Sequence, residues 1–109
     1  MEYKIHITQK AERDIMDAAI YISFILKNPQ AADELLQTIG IEISNLAFMP
    51  DKHGIIDEPV LAYFKIRMLV VKNYIVFYKI DKKGKIVNIV RVLYAKSNWL
   101  AILRNEIIK

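Results

Sequence analysis

The sequence predicts an α+β domain in which a helical hairpin packs on one face of a four-stranded, mostly antiparallel sheet. Three observations carry this. Residues 9–48 hold two amphipathic helical periods broken at Asn28-Pro29. From Ala62 the apolar period shortens to two and stays so to Tyr94. The charge divides at the same place: residues 1–60 carry five Lys or Arg against ten acids, and residues 61–109 carry eleven against only Asp81 and Glu106. A basic sheet in front of acidic helices points to a phosphate-binding face, because clustered cations displace counterions from nucleic acid.

With 109 residues the chain supports one domain, residues 1–109, and its apolar content is enough for a folded core. It has no cysteine, which excludes disulfide and thiolate chemistry and fits a cytoplasmic protein. The N-terminus lacks the pattern of a signal peptide, and no apolar run reaches the ~18 residues of a membrane span. His6 and His53 have no partner at ligand spacing, so neither a metal nor another cofactor is expected. Phosphate-binding glycine loops and nucleophile elbows are absent.

Residues 3–8 alternate weakly and predict a first strand, after which Thr8 can cap a helix. Ala11, Ile15, Ala18, Ala19, Ile22, Ile25 and Leu26 recur at helical steps and form one stripe. Glu12, Asp14 and Asp17 lie in the early turns, where the helix dipole favours negative charge. Asn28 then caps a second helix with Pro29 at its first position. Ala32, Leu35, Leu36, Ile39, Ile43 and Leu46 are its inward residues. Gly40 weakens this helix by ~1 kcal/mol relative to Ala unless it permits a close approach. Pro50, Gly54 and Pro59 mark residues 49–61 as loop.

Next, Phe64, Ile66, Met68 and Val70 form one face of a strand, with Lys65 and Arg67 on the other. Lys72-Asn73 makes a turn into a strand over 74–80, and 81–85 with Gly84 is a hairpin loop. Residues 86–94 are apolar enough for a central strand. Residues 98–108 form a short C-terminal helix or tail, with Trp99, Ile102 and Leu103 inward. Helices on one face leave the other partly open, and Lys65 and Arg67 are expected on that open face.

This order resembles the RelE/ParE superfamily of bacterial type II toxins. The matching segments are "TQKAERDI", "NPQAADELL", "YFKIRMLVVKNYIVFYKI" and "VNIVRVLYAKSNW". The resemblance implies a cognate antitoxin as partner. It also implies one of two activities: RelE-like cleavage of mRNA at the ribosome, or ParE-like inhibition of DNA gyrase without nuclease chemistry. A third possibility is a degenerate toxin that only binds its antitoxin. The first reading is a RelE-like, metal-independent endoribonuclease that inhibits translation.

For such cleavage the resemblance carries a basic pair onto Lys65 and Arg67, and a strand-end tyrosine and cation onto Tyr94 and Lys96. These four are the candidate catalytic residues. Lys65, Arg67, Arg91 and Lys96 are the candidate nucleic-acid contacts, although Arg91 can equally serve a structural ion pair. Ser97 and Ile75 stand where nuclease members carry Arg, which removes cations from the site. Tyr63, Tyr74, Phe77, Tyr78 and Trp99 fit stacking surface or, more simply, core.

Overall fold

The computed structural model describes residues 2–108. β1 (Lys4–Ile7) leads into α1 (Gln9–Ile20), which continues as a π-helical turn over Tyr21–Ile25. α2 (Pro29–Asn45) returns antiparallel to it. A 3-10 turn at Pro50–Lys52 and α3 (Pro59–Tyr63) precede β2 (Arg67–Val71), β3 (Tyr74–Asp81) and β4 (Ile86–Tyr94), and α4 (Trp99–Ile108) closes the fold. The sheet order is β1-β4-β3-β2; β1 runs parallel to β4 and the other pairs are antiparallel.

The expected caps are present. The Ala11 N–H donates to Thr8 Oγ1 at 3.2 Å and the Ala31 N–H donates to Asn28 Oδ1 at 3.1 Å, with Pro29 at the first helical position. These bonds satisfy first-turn donors that the helix itself leaves free. Gly84 closes its hairpin against Asp81. Its N–H donates to Asp81 Oδ1 at 3.0 Å, and a Cβ there would come within 2.7 Å of Asp81 Oδ2. Around Gly40, by contrast, a Cβ would meet nothing within 4 Å, so no close approach explains that residue.

Two cores flank the sheet. Leu69, Val71, Val76, Tyr78, Val87, Ile89 and Val92 pack against Ala11, Ala18, Leu35, Ile39, Ile43 and Leu46 of the hairpin side. On the opposite face Ile75, Phe77 and Leu93 meet Ile56, Leu61, Ile66 and Leu103, with Trp99 and Ile102 against them. The open face expected from the sequence is therefore covered by α3 and α4. Residues 49–61 also contain helix. Glu58 caps α3, with the Leu61 N–H donating to Glu58 Oε1 at 2.9 Å, and Pro59 starts it. Phe64 and Lys65 leave the strand as a result. Lys65 turns the chain in a left-handed conformation, φ 57°, and pairing begins only at Arg67. The strand's faces are also exchanged: Leu69 and Val71 face the hairpin, Met68 joins the second core and Val70 is exposed.

Tyr78, fully buried, ties the loop before α3 to the sheet by donating its hydroxyl to the Pro50 carbonyl at 2.6 Å. Burial pushes its phenol up to about 12, against the opposing pull of Arg67. Because the folded value lies above the ordinary 10, the neutral phenol's contribution is complete below pH 10 and disappears as pH rises towards 12. Over that window stability is expected to fall ~1.4 kcal/mol per pH unit more steeply than in Tyr78→Phe. Urea unfolding of both proteins at several alkaline pH values measures this, and equal slopes would show that Tyr78 does not titrate through unfolding.

Candidate functional site

Register decides which candidate residues can cooperate. Arg67 lies opposite Tyr78 at the start of β2, whereas Val71 at its end lies opposite Tyr74, which in turn lies opposite Tyr94. Four residue steps therefore separate Arg67 from the Tyr94 level, roughly 13 Å at strand rise. Lys65 lies beyond Arg67, farther still from Tyr94. The structure thus joins Lys65 with Arg67 and Tyr94 with Lys96, and holds the two pairs at opposite ends of the sheet.

At the first end, Lys65 and Arg67 line a cleft of about 410 Å³ with Ile55, Ile80, Asp81 and Lys82. Lys65 is exposed, but Arg67 is engaged: its Nη1 donates to the His53 carbonyl at 2.6 Å and lies 3.4 Å from that of Asp51. Its guanidinium thus holds the loop that Tyr78 also anchors. Tyr63, expected in the core, is 79% exposed here, edge-on to Phe64 at 5.0 Å.

The second end is aromatic. Tyr94 closes β4, and the turn after it is fixed by Ser97, whose N–H and Oγ both donate to the Tyr94 carbonyl at 2.9 and 2.6 Å. Lys96 is exposed within that turn. The Tyr94 ring meets Tyr74 with centroids 5.6 Å apart and planes at 62°. Tyr21, Ile22 and Leu26 from the π-helical turn, with Asn73, Tyr74 and Tyr94 from the sheet end, line a cleft of about 550 Å³. The turn's diagnostic bond runs from the Leu26 N–H to the Tyr21 carbonyl at 3.0 Å. Such extra-residue turns are frequent at functional sites. Burial raises the Tyr74 pKa, and the neighbouring Tyr94 and Tyr21 raise it further, so its hydroxyl stays protonated. No sequence signal marked Tyr21 as part of this cleft, because residue 21 falls between two core positions of an ordinary helical period.

Arg91 belongs to neither end. Its Nε and Nη2 donate to Asp14 Oδ2 and Oδ1 at 2.6 and 2.8 Å, and its Nη1 donates to Glu106. Its hydrogen bonds to Asp14 raise its pKa despite burial. This is the structural ion pair that the sequence left open as the alternative role. Ile75, one of the positions where nuclease members carry Arg, is sealed in the second core. Ser97, the other, serves as the turn's hydrogen-bond donor. Among the described residues, no three His, Cys, Asp or Glu side chains are placed to hold a metal, and no helix is long and apolar enough to cross a membrane.

The family model of the ParE toxin of the type II toxin-antitoxin system parDE matches residues 5–99. No curated protein matches the chain. Solved structures share its fold. The chromosomal ParDE toxin–antitoxin system of P. aeruginosa superposes with a TM-score of 0.71 at 17% identity, covering 87% of this chain and 98% of that one. The RelBE2 toxin–antitoxin complex of Mycobacterium tuberculosis gives 0.61 at 21% identity, covering 86% and 99%. A free mutant of the E. coli toxin RelE gives 0.68 at 10% identity, covering 100% of both chains.

Proposed function

The chain belongs to the ParE toxin family, within the RelE/ParE superfamily of type II toxin–antitoxin systems, and from that premise we propose that it acts by binding DNA gyrase rather than by cutting mRNA. The observation that carries this reading is the separation of the two candidate pairs along β2. Cleavage through the 2′-hydroxyl needs a base, an acid and cations around one phosphate. Lys65 and Arg67 lie at one end, Tyr94 and Lys96 lie at the other, Arg91 spends its guanidinium on Asp14 and Glu106, and Arg67 commits its Nη1 to the loop at His53. A binding function requires no such convergence. It does require exposed apolar surface, and the hairpin tip offers Phe24 at 73% and Ile25 at 65% exposure.

A cognate antitoxin is the second partner in this proposal. The P. aeruginosa and M. tuberculosis structures that share the fold are toxin–antitoxin assemblies. An acidic antitoxin segment that folds on binding would complement the basic half of this chain.

The purified protein is expected to inhibit gyrase supercoiling of plasmid DNA, to lose that inhibition when the product of the neighbouring gene is added, and to create no new mRNA 5′ ends in a translating extract. New 5′ ends on ribosome-bound mRNA, with supercoiling untouched, would restore Lys65, Arg67, Tyr94 and Lys96 as catalytic candidates.

A further inference from the structure

We propose that the cleft between the π-helical turn and the end of the sheet is a nucleotide site, with the base among Tyr21, Tyr74 and Tyr94 and the phosphate at Lys72 and Lys96. This goes beyond gyrase binding and does not depend on it, since it concerns a ligand of the isolated chain.

The lining selects the ligand class. Its walls are aromatic and aliphatic: three tyrosine rings with Ile22 and Leu26. Tyr74 and Tyr94 stand edge-to-face, so a third planar ring can stack on either without disturbing their contact. The polar side chains among the lining residues are all neutral, those of Tyr21, Tyr74, Tyr94 and Asn73. Among the described residues none of these four side chains has a protein hydrogen-bond partner. Neutral donors and acceptors among the lining residues of an apolar cleft of this size are the usual make-up of a small-molecule site. Their chemistry matches the ring nitrogens and carbonyls of a nucleobase edge.

Among the described residues no cation lines the cleft, but three lysines lie close to lining residues along the chain. Lys72 immediately precedes Asn73, and Lys96 is two residues beyond Tyr94; both are exposed. The Ala95 N–H donates to the Asn73 carbonyl at 2.8 Å, which brings the two lysine-bearing turns together. Lys27, next to Leu26, borders the third side. Lys27 and Lys72 both adopt left-handed backbone, φ 55° and 54°, where Gly or Asn would be less strained. An acidic peptide would meet the same lysines but, without a planar ring, would leave the stacking surface of the three tyrosines unused. A nucleotide uses both.

Titration of the full-length protein with adenosine, 5′-AMP, inorganic phosphate and a 5′-phosphorylated triadenylate, read by the ring resonances of Tyr74 and Tyr94, tests the assignment. Adenosine and AMP are expected to shift both rings, with AMP the tighter. Tyr94→Ala should weaken AMP about tenfold or more, the scale of losing one stacked base. Replacing Lys72 and Lys96 together by Ala should abolish the advantage of AMP over adenosine. A triadenylate tighter than AMP identifies the physiological source as a strand end; equal or weaker binding identifies a free nucleotide. Unmoved rings at millimolar AMP overturn the proposal. So does an equal response to phosphate alone, or to a glutamate-rich peptide.

Discussion

Replacing Asp14 by Ala is expected to destabilise the protein by ~3–5 kcal/mol, the range for removing one partner of a buried ion pair. The size follows from what Asp14 does. β1 pairs with β4 only as far as Ile89, so the rest of the β4 edge has no strand beside it. Helix α1 replaces the missing strand. Thr8 Oγ1 donates to the carbonyl of the bulged Val90 at 3.1 Å, and Asp14 Oδ2 accepts the Val92 N–H at 3.0 Å. The same carboxylate holds Arg91 bidentately, and Arg91 reaches on to Glu106 of α4, beside which Lys10 lies at 3.7 Å. Asp14→Ala therefore removes the bidentate partner of a largely buried guanidinium, which keeps only Glu106, and leaves a strand N–H unpaired as well. The Arg91 and Asp14 side chains are only 16% and 11% exposed, so water can replace little of what is lost. At about 4–8 °C per kcal/mol for a domain of this size, the melting temperature should fall by roughly 12 °C or more. Asp14→Leu combined with Arg91→Met should lie closer to the parent than either single change, because the carboxylate and the guanidinium leave together and Glu106 keeps Lys10 beside it. A loss below ~0.5 kcal/mol for Asp14→Ala would place the pair among surface ion pairs of little consequence.

The local signals read well from sequence and the long-range ones did not. Thr8 and Asn28-Pro29 announce helix starts through bonds that span three residues, and the structure has both. Glu58-Pro59 carries the same kind of signal, but a five-residue helix is too short to show a period, and its neighbours Pro50 and Gly54 pointed to loop. The stripe through Ile25 and Leu26 fails for a related reason. The chain changes to π-helical winding at Tyr21, the phase rotates, and both residues are exposed at 65% and 55%. At the site, Lys65 and Arg67 are adjacent in the sequence alternation, yet one left-handed residue removes Lys65 from the strand. Arg91 finds Asp14 across 77 positions, a pairing that no local period can display.

The covered second face gives the other large effect. Leu103→Ala in α4 is expected to cost ~2–5 kcal/mol, since Leu103 is fully buried and the cavity left behind adds to the lost transfer energy. The sequence did hold a sign of this. Over 75–78 both strand phases are apolar: Ile75 and Phe77 on one side, Val76 and Tyr78 on the other, all buried. A strand apolar in both phases is covered on both faces. Here α4 supplies that cover, with Trp99 tilted against Phe77 at 5.2 Å and Arg104 lying 3.7 Å from Glu58 at the cap of α3. Asn105→Ala is the matched control. It lies on the same helix but is exposed, so it should change stability by no more than ~0.5 kcal/mol. Urea unfolding of the two variants separates the outcomes. If Leu103→Ala were as mild as Asn105→Ala, α4 would be a loosely attached tail and the second core would have to be closed by some other part of the chain. With the expected loss, α4 is an integral layer, and the sheet face that the sequence alone would leave open to nucleic acid is closed by the protein itself.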